Sequence, residues 1–112
     1  MILNHINLAV SDVPAAADFL VKYFQMTSQG GNQGMAFLMD KNGLVLSLMK
    51  TKGSVQYPGT FHIGFSQVDR AMVDTLNQQL KEDGFNVEPP VDSHAYTFYV
   101  AAPGGFTVEV MA

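Results

Sequence analysis

One short pattern, written twice, constrains this chain more than any other feature. Residues 4–12 read Asn-His-Ile-Asn-Leu-Ala-Val-Ser-Asp, and residues 61–69 read Phe-His-Ile-Gly-Phe-Ser-Gln-Val-Asp. Each copy places a histidine (His5, His62) near the start of an alternating stretch and an aspartate (Asp12, Asp69) where a helix should begin. Each half also closes on a matching run, Gly-Leu-Val-Leu-Ser-Leu at 43–48 and Gly-Phe-Thr-Val-Glu-Val at 105–110. A repeat of this length implies one supersecondary unit built twice.

The order of elements follows from local patterning. Residues 2–10 alternate as a strand does, with Ile6, Leu8 and Val10 on one face and His5, Asn7 and Ala9 on the other. Asp12 or Ser11 caps a helix whose first turn suits Pro14 and whose apolar face is Phe19, Leu20, Tyr23 and Phe24. Residues 29–34 are polar and Gly-rich, which predicts a loop. Strands are expected near 35–40 and 44–50, with Asn42-Gly43 favouring a two-residue turn between them. The second half repeats this order: a strand near 60–66, then a helix capped by Asp69 and buried through Met72, Val73, Leu76 and Leu80. Gly84 is its expected C-terminal cap. A short strand over Phe85 to Glu88 precedes Pro89-Pro90, and a hairpin over 96–101 and 105–111 closes the chain. The reading is an α+β fold of two tandem βαβββ modules in a cupped mixed sheet. It predicts a single domain over 1–112, with modules at about 1–52 and 60–112 joined by 53–59.

Strand parity locates the chemistry. Opposite the apolar positions lie His5 and Asn7 in the first strand of half one, and Ser47 in its last strand. In half two the same face carries His62 and, in the closing strand, Glu109; Thr97 and Tyr99 share a face opposite Phe98 and Val100. If the apolar faces take the helices, the other faces line a concavity. A carboxylate on the otherwise apolar closing strand is costly to bury unpaired, so Glu109 should meet a cation, a donor or water. A lone strand histidine is more often structural than a ligand; the repeat and Glu109 are what raise the metal reading. His94, in a Pro/Asp/Ser loop, is expected to face solvent. Methionines 35, 39, 49 and 111 are core filler or the lining of an adaptable apolar pocket.

Composition removes several function classes. The net charge is −4 without a Lys/Arg cluster, which argues against nucleic acid and against an anionic membrane surface. There is no cysteine, hence no disulfide and no thiolate chemistry from the protein itself. No leader or membrane-spanning stretch is visible in the sequence, and a cytoplasmic location is expected.

His5-Ile6-Asn7-Leu8-Ala9-Val10-Ser11-Asp12, the repeat at His62, and Pro103-Gly104-Gly105-Phe106-Thr107-Val108-Glu109-Val110 together resemble the vicinal oxygen chelate superfamily. That group includes glyoxalase I, bleomycin-resistance proteins, fosfomycin-resistance thiol transferases and extradiol dioxygenases. The resemblance spans the whole chain and implies the cupped fold, a homodimer and a small-molecule ligand. It also implies a divalent metal (Fe, Mn, Zn or Ni) held by His5, His62 and Glu109. The fourth family position falls on Ser47, where glyoxalase I has glutamate, so the site would be a three-ligand one with open coordination positions. As an enzyme the protein would act on a small oxygenated molecule by isomerase, lyase or dioxygenase chemistry. Glu109 would be a ligand and, if displaced, a catalytic base; Asn7, Ser47, Thr97 and Tyr99 would contact substrate. The spacing is similar to that of the fosfomycin-type transferases, but the basic residues a phosphonate needs are missing. The alternative is a metal-free drug- or metabolite-binding module of the bleomycin-resistance kind, which Ser47 and the apolar inner residues favour.

Overall fold

A computed structural model describes residues 1–112. The chain runs β1 (His5–Val10), α1 (Val13–Phe24), β2 (Thr27–Gly31), β3 (Met35–Met39), β4 (Val45–Lys50), then β5 (Ile63–Ser66), α2 (Arg70–Glu82), β6 (Val91–Asp92), β7 (Tyr96–Ala102) and β8 (Phe106–Met111). This is the βαβββ order, twice. Two compact units result: Met1–Tyr57 with Pro103–Gly105, and Pro58–Ala102 with Phe106–Ala112. No helix is long and apolar enough to cross a membrane.

In the first unit the sheet order is β1-β4-β3-β2, with β1 parallel to β4 and the other pairs antiparallel. Asp12 caps α1, its carboxylate accepting from the Ala15 amide at 3.1 Å. The helix buries Val13, Ala16, Phe19, Leu20, Tyr23 and Phe24. The sheet side chains buried alongside are Leu8, Val10, Ala36, Leu38, Leu46 and Leu48, all on one parity, so the opposite parity turns away from the helix, and on it Ser47 alone is buried. By register that open face is a grid: His5, Val45 and Met39 in one row, Asn7, Ser47 and Phe37 in the next, then Ala9, Met49 and Met35.

The second unit repeats the plan as β5-β8-β7-β6, with β5 parallel to β8. Asp69 caps α2 through the Met72 amide at 2.9 Å. Phe98, Val100, Val108 and Val110 are buried on the sheet, and Val73, Leu76 and Leu80 on the helix. The open parity carries Gly64, Glu109 and Tyr99 in one row and Ser66, Met111 and Thr97 in the next.

Five local expectations need correction. Residues 29–34 are not all loop: Thr27–Gly31 pairs with β3 through a bulge. This edge strand is exposed throughout, so it has no hydrophobic alternation to reveal it. Gly31 is required there, because a Cβ would lie 2.6 Å from the Met35 carbonyl oxygen. The β3–β4 turn has three residues, 41–43, not two. The Asp40 amide donates to Leu44 O, the Gly43 amide donates to Asp40 O, and Gly43 takes φ +85°. Residues 85–88 form no strand; pairing starts after Pro89-Pro90, which offer no amide hydrogens, at Val91–Asp92. Met72 is exposed, and the buried stripe of α2 is Val73, Leu76, Asn77 and Leu80. Asn77 is tolerated in it because its amide donates to Glu88 O at 2.9 Å. Finally, β1 begins at His5, leaving Met1, Ile2 and Leu3 exposed. Gly84 does cap α2: it has φ +94°, and the Phe85 amide reaches back to Leu80 O at 2.9 Å.

Candidate functional site

Glu109 is the organising residue of the second unit's open face. It lies mid-strand on β8, only 4% exposed, on the parity opposite Val108 and Val110. Its Oε2 accepts from the Thr97 hydroxyl at 2.7 Å and from His94 Nε2 at 2.6 Å. Burial pushes its pKa up, but the hydrogen bonds from Thr97, His94 and Tyr99 and the attraction of the His94 ring outweigh that and hold it below the ordinary carboxylate value. The carboxylate is therefore ionised at neutral pH. Tyr99, paired with Glu109 across the β7–β8 ladder, has its phenol pKa raised by desolvation and by its hydrogen bond to that charge.

His62 stands at the other oxygen, its Nε2 3.3 Å from Glu109 Oε1. Its Nδ1 is 3.0 Å from Thr60 O. A carbonyl oxygen can only accept, so Nδ1 carries a hydrogen. In the neutral ring Nε2 is then a bare lone pair facing a carboxylate oxygen. That confrontation is repulsive unless a cation or a proton lies between them. Gly64 lies beside Glu109 in the ladder; a Cβ there would sit 4.0 Å from Oε1 without clash, so packing does not demand glycine.

His94 Nε2 faces the ionised Oε2 and donates to it, while Nδ1 lies 3.1 Å from the Ser93 hydroxyl. His94 is exposed, as expected, its side chain 52% accessible, but its ring also engages Glu109, a contact the sequence did not suggest. Sequence periodicity could not find it: the residue lies between β6 and β7, where no strand parity fixes a direction. The turn is held on both sides. Arg70, at the start of α2, makes a bidentate pair with Asp92 at 2.6 and 2.9 Å and stacks 4.9 Å over the Tyr96 ring. The Tyr96 hydroxyl donates to Asp74 at 2.6 Å. That bond first, then desolvation and the Asp74 charge, raise the Tyr96 pKa against the opposing pull of Arg70.

Of the residues singled out in the sequence, His62, Glu109, Thr97 and Tyr99 come together in the second unit. His5, Asn7 and Ser47 belong to the first. There Ser47 is buried and its hydroxyl donates to Asn7 Oδ1 at 2.8 Å, with Ile6 O at 3.4 Å. That bond engages the Asn7 amide oxygen and not its nitrogen, which carries two donors. His5 is bonded through Nδ1 to Asn4 Oδ1 at 2.7 Å, which leaves Nε2 as its outward nitrogen. No group of three or more His, Asp or Glu side chains forms a ready-made metal cage. What the chain does offer is an imidazole nitrogen 3.3 Å from an ionised carboxylate oxygen, two donor types that suit a divalent cation.

The family is established by comparison. The model of the Glyoxalase/Bleomycin resistance protein/Dioxygenase superfamily matches residues 2–110, and the chain belongs to that superfamily. It is similar to a structure described as a possible glyoxalase from Bacillus cereus, at 56% identity over 100% of this chain and 99% of that one, with a TM-score of 0.95. It shares its fold with the fosfomycin resistance protein FosX from Listeria monocytogenes, solved with Mn(II) and dihydroxypropylphosphonic acid. There the identity is 24%, the coverage 100% and 94%, and the TM-score 0.82. The oxidase ChaP-H2 has the same fold at 20% identity, with coverage of 100% and 93% and a TM-score of 0.78. No protein of curated function matches the chain.

Proposed function

We propose that this protein binds a divalent cation through His62 Nε2 and Glu109 Oε1, with His5 as the third ligand, and acts there on a small molecule bearing adjacent oxygens. The observation that carries the reading is His62 Nε2 held 3.3 Å from an ionised, buried carboxylate oxygen, with the ring's Nδ1 on the Thr60 carbonyl. A cation between the two atoms would use both groups as ligands and balance the carboxylate charge. The Thr60 carbonyl on Nδ1 is the kind of outer partner that fixes a ligating histidine's tautomer. Mn(II) in FosX, a member of the same fold, makes such a metal plausible. A bound cation would supply Lewis acidity to a substrate carbonyl or developing oxyanion. The chain's own groups would do the rest: the Asn7 amide would donate to a substrate oxygen, Ser47 would hold Asn7 in orientation, and Tyr99, its hydroxyl hydrogen on Glu109, would contact substrate through its ring. The chemistry expected is of the isomerase, lyase or dioxygenase type, in a homodimer. The test is metal content after purification without chelator, with His62→Ala, Glu109→Gln and His5→Ala alongside. About one equivalent in the wild type, lost in the first two variants, supports the reading. A metal-free wild type that also fails to take up Mn(II), Fe(II), Zn(II) or Ni(II) would overturn it. Full retention in His5→Ala alone would remove His5 from the ligand set.

A second reading has its own observation. The first unit's open face is mostly apolar (Val45, Met39, Phe37, Met49, Met35) around the Asn7–Ser47 pair, and carries no carboxylate. Such a face suits sequestration of a flat apolar molecule without chemistry. Ligand binding that survives EDTA would favour it.

A further inference from the structure

Resting on the metal reading above, we infer that His94 is a positioning residue that decides which oxygen of Glu109 faces the cation. Oε2 already accepts two short hydrogen bonds, from Thr97 at 2.7 Å and His94 at 2.6 Å. Two such donors fill the two lone pairs of a carboxylate oxygen. The oxygen left toward His62 is therefore Oε1, and it is the one that would ligate a cation. The division of labour between the histidines follows from where their Nε2 atoms lie. His62 Nε2 stands 3.3 Å from Oε1 with its Nδ1 on Thr60 O, whereas His94 Nε2 donates to Oε2 at 2.6 Å with its Nδ1 beside the Ser93 hydroxyl. One ring is ready to ligate; the other is ready to hold the ligand.

The presentation of His94 is itself built. The residues flanking its turn are tied to α2 from both sides, Asp92 by the two-point Arg70 pair and Tyr96 by Asp74, with the Arg70 guanidinium over the Tyr96 ring. Within the turn, the Ser93 amide donates to Ala95 O at 3.0 Å. A half-exposed imidazole held by this many contacts against a 4%-exposed carboxylate is set for orientation, since a solvent-facing loop histidine needs none of them.

The experiment is a cobalt(II) titration of metal-free wild-type, His94→Ala and His94→Gln proteins, reading the dissociation constant and the visible absorption of bound Co(II). Gln places an N–H donor near the His Nε2 position but is a poor substitute as a ligand. His94→Ala is expected to weaken binding about 10–100-fold, the usual effect of removing an outer-shell partner. It should also weaken the absorption bands, as the freed Oε2 adds to the coordination number. His94→Gln is expected to recover most of both. Binding in His94→Ala within about twofold of wild type, with an unchanged spectrum, would overturn the inference and leave the metal reading standing. So would a Gln variant as weak as the Ala variant, which would make His94 itself a ligand. A wild type that binds no Co(II) would overturn both.

Discussion

At Glu109 a charge is kept ionised inside an apolar strand by donors that can be removed one at a time. Thr97 is the most buried of them at 2% exposure, and its hydroxyl also lies 3.0 Å from Val110 O. Thr97→Val is close to isosteric and leaves a buried carboxylate one donor short, so it should cost about 1–3 kcal/mol of stability. Urea unfolding of metal-free protein reads this directly; a loss well below that range would mean that water replaces the hydroxyl. The lowered pKa of Glu109 also fixes the sign of a pH effect. The unfolded chain takes up the proton first as pH falls. The stability from the ionised carboxylate is thus fully present above the ordinary carboxylate value and is lost as pH falls through the lowered folded value. Glu109→Gln should therefore show a flatter acid limb than wild type in melting temperature against pH, both measured without metal; parallel limbs would place the acid sensitivity elsewhere. Glu109, Thr97 and Tyr99 were legible in the sequence because strand alternation fixes their face. His94 was not, because a turn has no period from which to read direction.

Among elements, the joint between α2 and the β6–β7 turn shows why size of stabilisation and importance differ. Arg70 and Asp92 are both well exposed, so their pair contributes about 0–1 kcal/mol despite its two-point geometry, and the stacking on Tyr96 adds about 0.5–1. Arg70→Ala should therefore lower the urea midpoint only slightly. Its effect should appear instead at His94, whose imidazole resonances should move from their wild-type positions toward those of free histidine. Unchanged His94 resonances would show that Asp74 and Tyr96 suffice to hold the turn. None of this joint was legible in the sequence, since it depends on which exposed charges meet across the fold. The helices and the long strands were legible from Asp12, Asp69 and alternation in β1, β4 and β8. Thr27–Gly31 and Val91–Asp92 were not: both are exposed edge strands defined by backbone pairing alone.

For the molecule as a whole, the duplication explains why only one half carries a carboxylate. Register aligns Ser47 with Glu109, each opposite the corresponding residue of the first strand, Asn7 and Gly64. The same register aligns Phe37 with Tyr99 and Met35 with Thr97. Both hydroxyl donors that serve Glu109 are thus replaced by apolar groups in the first unit. The chain there offers Asn32, whose side-chain oxygen is already engaged by the Gly34 and Met35 amides. A carboxylate and its donors occur together or not at all. That predicts the outcome of restoring the four-ligand pattern by Ser47→Glu. The new carboxyl would be buried where Ser47 is now, with the Asn7 amide as its one neighbouring donor. Its pKa should be raised by desolvation, opposite in sign to that of Glu109. The variant should be destabilised at neutral pH by a few kcal/mol. It should recover toward wild type as pH falls and the carboxyl is protonated in both the folded and unfolded chains. Adding Met35→Thr and Phe37→Tyr, which copy the second unit's donors, should relieve the neutral-pH penalty by more than the sum of their separate effects on the wild type. Urea unfolding across pH for the single, double and triple variants measures each term. If Ser47→Glu alone is as stable as wild type at neutral pH, the donor set does not decide where this fold can place its carboxylate.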